Sequence, residues 1–140
     1  MARSKLEEAL SKYLNEKLEV RAGIFETATY PDGTPVASVA VANEYGTDSV
    51  PARSFFRTTI AEKQNDWADS VAKGLQYYKG DIRTALKTTG DRMKDDLKEA
   101  VLTWKEPPNA PYTIAKKGFN KPLVDSGQMS KSFGSEVVDD

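Results

Sequence analysis

Residues 58–104 read TTIAEKQNDWADSVAKGLQYYKGDIRTALKTTGDRMKDDLKEAVLTW, and whether they form one helix or two decides the fold. Ile60, Trp67, Val71, Leu75 and Tyr78 recur at helical spacing in the first half, and Ile82, Leu86, Met93, Leu97, Val101 and Trp104 do so in the second. As one helix these 47 residues would reach about 70 Å at about 1.5 Å per residue, too long for a domain of this size. A break at Lys79-Gly80-Asp81 resolves the conflict, because Gly80 tolerates the backbone that ends a helix and Asp81 can cap the next one. Thr88-Thr89-Gly90 is a further place for a kink or break. The charges along both halves are dispersed as solvated faces.

Upstream, Pro51 keeps residues 47–53 in a loop. Arg53-Ser54-Phe55-Phe56-Arg57 sets two aromatics between two arginines. On a strand or extended loop, neighbouring side chains face opposite ways, so one phenylalanine enters the core and the other meets a neighbouring subunit; alternatively both are buried. Val36 to Tyr45 fits either a buried strand or a short helix, with Gly46 a suitable stop. Tyr30-Pro31-Asp32-Gly33-Thr34-Pro35 is a turn, and Glu19 to Thr29 has the alternation of a strand. Residues 4–18 carry a stripe of Leu6, Ala9, Leu10, Tyr13, Leu14 and Leu18 opposite Glu7, Glu8, Lys12, Glu16 and Lys17. With Ser4 and Glu7 as a capping box, this predicts an amphipathic helix that covers a sheet or binds a partner.

Downstream, residues 105–121 lack periodicity and hold Pro107, Pro108, Pro111 and Gly118, which predicts an extended, partner-seeking loop. Lys116, Lys117 and Lys121 make it locally basic, as a phosphate contact on passing DNA or as a solvated loop. Residues 122–138 contain a turn at Asp125-Ser126-Gly127 and a closing strand expected to complete the sheet begun at Val20. The tail is thus where assembly is expected to be controlled.

Composition narrows the function. The 140 residues fit a single domain, and the net charge of −1 excludes a chain-wide basic field for nucleic acid. Mean hydropathy is −0.59. The chain has no cysteine and no histidine, which closes disulfide, thiolate-metal, Ser-His-Asp and Cys-His chemistry. No apolar run approaches a membrane span, and MARSKLEEAL lacks the apolar core of a signal peptide, so a cytoplasmic origin is expected. No catalytic group, cofactor site or metal site is expected. Glu44 and Asp125 could be read as a hydrolytic carboxylate pair, but nothing else in the chain supports a small hydrolase.

Four segments carry a resemblance. Ala42-Asn43-Glu44-Tyr45-Gly46-Thr47, Val50-Pro51-Ala52-Arg53-Ser54-Phe55-Phe56-Arg57, Pro107-Pro108-Asn109-Ala110-Pro111, and Lys117-Gly118 with Lys121-Pro122-Leu123-Val124-Asp125-Ser126-Gly127-Gln128-Met129 resemble, in order and spacing, the tail-completion and virion-morphogenesis proteins of HK97-like and Mu-like tailed bacteriophages. The likeness runs from about Val36 to Val138. Ser54 stands where that family often has proline, and Phe133-Gly134-Ser135 interrupts the usual β-branched strand, which predicts a bulge or an early end there.

The resemblance implies a non-enzymatic structural protein of the virion neck or tail, made in the host cytoplasm, that forms a homo-oligomeric ring of six between other neck and tail proteins. Its interface residues would be Glu44, Tyr45, Arg53, Phe55, Phe56, Arg57, Pro107, Pro108, Pro111, Lys116 and Lys117. Gly46, Asp125, Ser126 and Gly127 read as turn formers, anchored apolarly by Leu123 and Met129. A module that contacts DNA through Lys116, Lys117 and Lys121 is the alternative. The fold expected is α+β: a small, mostly antiparallel sheet flanked by an N-terminal helix and two longer central helices, with a proline-rich loop before the last strand.

Overall fold

A computed structural model describes residues 18–107, 109, 113–114 and 127–139. The fold is α+β. Strand β1 is Leu18–Ile24, followed by helices α1 (Val36–Tyr45), α2 (Phe55–Tyr77) and α3 (Ile82–Thr103), a short helix α4 (Gln128–Lys131) and strand β2 (Phe133–Asp139). The expected N-terminal helix lies outside the described residues except for Leu18, which begins β1. No helix among the described residues is long and apolar enough to cross a membrane.

The break between the central helices falls where the sequence places it. Lys79 and Gly80 have φ of 55° and 88°, and the Asp81 side chain accepts from the Thr84 amide at 3.2 Å. Glycine suits such a backbone, and the carboxylate satisfies an amide that has no partner within the helix. Gly90 does not break α3. It sits where the helix crosses the sheet, and a Cβ there would stand 2.8 Å from Val20 Cγ2 and 3.2 Å from Ser135 Cβ.

The sheet has two antiparallel strands, with Val20 opposite Val137, Ala22 opposite Ser135 and Ile24 opposite Phe133. The closing strand thus pairs with β1, as the sequence predicts. Two expectations are corrected. β1 stops at Ile24 instead of Thr29, because the chain turns at Glu26-Thr27, with the Ala28 amide donating to the Phe25 carbonyl at 3.1 Å; Thr29 forms only an isolated bridge with Pro35. β2 neither bulges nor ends at its glycine, since the register runs unbroken from Phe133 to Asp139. Gly134 pairs with Gly23, and the Phe25 ring occupies the space a side chain at Gly134 would need.

α3 is the central element, packed against α2 and against both strands. The core gathers Val36 and Ala40 from α1, Phe55 from α2, Leu97 and Val101 from α3, Met129 from α4 and Phe133 from β2. Full burial of each large apolar side chain contributes about 1.5–3 kcal/mol. Trp67 Nε1 donates to Asp96 Oδ2 at 2.7 Å and Thr89 Oγ1 to Ser70 Oγ at 3.0 Å, so these polar groups between α2 and α3 are satisfied. Residues 36–45 are helix, which resolves the ambiguity of that segment. The buried positions Val36, Ala40 and Glu44 recur every fourth residue, the spacing of one helix face.

Candidate interaction surface

The junction between α1 and α2 concentrates the predicted site residues. Helix α2 starts at Phe55, three residues earlier than the periodicity suggests, so Phe55 and Phe56 lie on a helix and not on an extended segment. Consecutive side chains then diverge by about 100°. Phe55 is fully buried, stacked edge-on to Phe133 at 6.4 Å between centroids, while Phe56 is part-buried at the edge of the core. Phe55 enters the core and Phe56 packs against it part-buried, so neither reading holds in full: the backbone is helical and not extended, and the second ring is not fully buried.

Glu44 explains the early start. Helix N-termini carry amides without helical partners, and the N-cap residue here, Ser54, makes no capping bond with its side chain. Glu44, at the end of α1, supplies the missing acceptor: Oε2 accepts from the Phe56 amide at 2.9 Å, and Oε1 from the Arg57 amide at 3.0 Å and from Arg57 Nε at 2.9 Å. The carboxylate is buried, and an anion there also interacts favourably with the helix dipole. Both oxygens are committed to an anchoring role, so the residue that one reading made half of a hydrolytic pair is a helix clamp. Its supposed partner, Asp125, lies outside the described residues.

Arg57 completes the clamp from above. Nη2 donates to the Glu44 carbonyl at 3.1 Å, and the guanidinium lies 4.6 Å from the centre of the Tyr45 ring, within cation–π range.

Arg53 ties in the proline-rich segment. Its amide donates to the Asn43 carbonyl at 2.6 Å, and its Nε to the Pro107 carbonyl at 2.9 Å. Burial pushes its guanidinium below its usual pKa. Asn109 is buried as well. Pro107 is therefore held against the α1–α2 junction, and Thr113 and Ile114 are helical, which corrects the reading of the whole 105–121 span as an extended loop. Pro108, Pro111, Lys116, Lys117 and Lys121 lie outside the described residues, as do Leu123, Asp125 and Ser126.

Two turn formers behave as read. Gly46 has φ 77°, and a Cβ on it would sit 2.8 Å from the Ala52 nitrogen; Gly127 has φ 82° and precedes α4. Met129 is buried in the core.

Over this junction lies an apolar groove of about 360 Å³, lined by Ile24, Ala37, Ala40, Val41, Glu44, Tyr45, Phe55, Phe56, Arg57 and Ile60. Val41, Tyr45 and Ile60 are 57%, 63% and 39% exposed, which is high for large apolar side chains. Tyr45, Phe55, Phe56, Arg57 and Glu44 were singled out from the sequence; Ile24, Val41 and Ile60 were not. The signal for Val41 was present, because Ala37, Val41 and Tyr45 form a second apolar stripe at four-residue steps beside the buried one once the segment is helical. Against known proteins, no family model, no curated protein and no solved structure matches this chain.

Proposed function

We propose that the chain is a structural virion protein of a tailed bacteriophage, acting in tail completion or head–tail joining at the neck by assembling into a ring. A homo-hexamer is the closure we assign, with other neck and tail proteins as axial neighbours. The observation that carries this reading is the interlocking of three of the four resembling segments. Glu44 and Asn43 of the first bind Arg57, Phe56 and Arg53 of the second, and Arg53 binds Pro107 of the third. Met129 of the fourth packs in the same core. Segments that the resemblance groups together thus cooperate in one structural unit, and the unit presents an exposed apolar groove of the kind that subunit contacts cover. A closed ring uses two different faces of each subunit, and the groove supplies one of them.

Light scattering on the purified chain, with negative-stain imaging, tests the reading. A single species of about six chain masses and annular particles are expected. A chain that stays monomeric at hundreds of micromolar, alone and in the presence of tail-tube protein, would overturn it.

A further inference from the structure

We propose that the tip of the α2–α3 hairpin binds single-stranded nucleic acid, with phosphates on Lys73, Lys79 and Lys87 and an unpaired base stacked on Tyr77. The inference goes beyond the ring reading and does not rest on it. Charge is the first observation. Residues 73–87 carry Lys73, Lys79, Arg83 and Lys87 against Asp81, a net +3, so the rest of a chain of net −1 carries −4. The near-neutral total hides a local positive field, which is what attracts a polyanion. Lys73 stands four residues before the end of α2 and Lys87 five after the start of α3. Both therefore lie within about 8 Å of the turn along the helix axes, and Lys79 is in the turn itself. All three lysines are exposed, and among the described residues none of them is in an ion pair. The other two charges are engaged, Asp81 by Thr84 and Arg83 by Asp139.

Tyr77 is the second observation. It is 80% exposed, more than any other large apolar side chain among the described residues. Its ring is nevertheless fixed: it packs edge-on with Tyr78 at 5.0 Å between centroids, and the Tyr78 hydroxyl bonds the Thr88 hydroxyl of α3 at 3.2 Å. The ring is thus held on one side and open to solvent over most of its area. A protein partner that buried it as an apolar anchor would want apolar neighbours around it, but Lys73, Gln76 and Lys79 are all polar and exposed. Lys73, one helical turn before Tyr77, shares its face of α2. An aromatic platform flanked by ammonium groups matches a nucleotide, whose base stacks on the ring while its phosphates meet the lysines. Duplex DNA offers the phosphates but keeps its bases stacked inside, so the tyrosine selects the single strand.

Fluorescence anisotropy of a labelled oligothymidine of about 20 nucleotides, titrated with the full chain from about 50 to 200 mM salt, tests the proposal. Binding that weakens with salt is expected. Tyr77→Ala should weaken it about fivefold or more, and Tyr77→Trp should keep it. Lys79→Ala/Lys87→Ala should lower the slope of log affinity against log salt by about 1.4, at about 0.7 per lost phosphate contact. Lys98→Ala, exposed and about 24 Å along α3 from its start, should change nothing. The substituted side chains are exposed, so unchanged urea midpoints show that the variants remain folded. On a blunt duplex, Tyr77→Ala should have no effect. Four results would each overturn the proposal. One is no binding at about 50 mM salt with the chain at hundreds of micromolar. Another is a Tyr77→Ala loss that is absent, or equal on single strand and duplex. The third is competition by polyglutamate as strong as by unlabelled oligothymidine, which would make the tip a contact for an acidic protein. The last is binding that survives the tip substitutions and vanishes in Lys116→Ala/Lys117→Ala/Lys121→Ala, which would move the contact to that other basic segment.

Discussion

Gly74 of α2 and Ala85 of α3 bring the two central helices almost into backbone contact: a Cβ on Gly74 would stand 2.9 Å from Ala85 Cβ and 3.1 Å from Ala85 Cα. Alanine at an exposed helical position would gain about 1 kcal/mol over glycine. Here the added methyl meets backbone that cannot rotate away. Gly74→Ala is therefore expected to destabilise the protein by about 1–3 kcal/mol, read as a lowered urea midpoint with unchanged slope. A stabilised Gly74→Ala variant would show that the helices separate freely.

Glu44 holds two backbone amides and a guanidinium from a buried position. Glu44→Ala leaves those donors without their acceptor and should cost about 2–3 kcal/mol, whereas Glu44→Gln, which keeps one acceptor oxygen, should cost about half as much. Chemical denaturation gives the order. Amide exchange at Phe56 and Arg57 should rise in both variants ahead of the core.

Asp81 gives an acid-side pH dependence. Its carboxylate accepts from the Thr84 hydroxyl at 2.7 Å and from the Thr84 amide at 3.2 Å, and these bonds hold its pKa below the ordinary aspartate value of 3.8. A depressed folded-state pKa means that the group stabilises the fold above the unfolded value and loses this contribution as pH falls through the folded one. Thermal midpoints of Asp81→Asn should lie below wild type at neutral pH and converge with it as pH drops below about 4. Parallel curves down to the acid limit would remove the cap from the account.

Arg53 is the fastening of the proline-rich segment. Arg53→Ala should free the chain around Pro107 and speed tryptic cleavage after Lys105, while Arg53→Lys, which lacks the Nε donor geometry, should fall between the two. Peptide mapping of short digests reads this directly. Equal cleavage at Lys105 in all three proteins would mean that the segment is held elsewhere.

What could be read in the chain follows from how local its cause is. The α2–α3 turn was legible because Lys79, Gly80 and Asp81 carry its chemistry within three residues. The pairing of β1 with β2 was legible from alternation at both ends of the chain. The start of α2 was not, because its capping group is Glu44, on another helix, and nothing next to Phe55 announces it. Gly90 and Gly134 were read as weaknesses of their own elements; each is a place where another element comes close, Val20 and Ser135 on one and Phe25 on the other. The groove was half legible: its aromatics stood out, but Val41 and Ile60 become neighbours only after packing.

The register that sets Leu18 opposite Asp139 also carries an expectation about the order of folding. The α2–α3 hairpin closes over a turn of a few residues, whereas the sheet must bring together positions about 120 residues apart, at the full entropic cost of that loop. The strands are therefore expected to assemble late, on a surface the helices have already formed. A circularly permuted chain, joined by a short linker beyond Leu18 and Asp139 and opened at Lys79-Gly80, would invert that sequence, making the sheet the local event and the helical pair the distant one, with the same native contacts and a different rate.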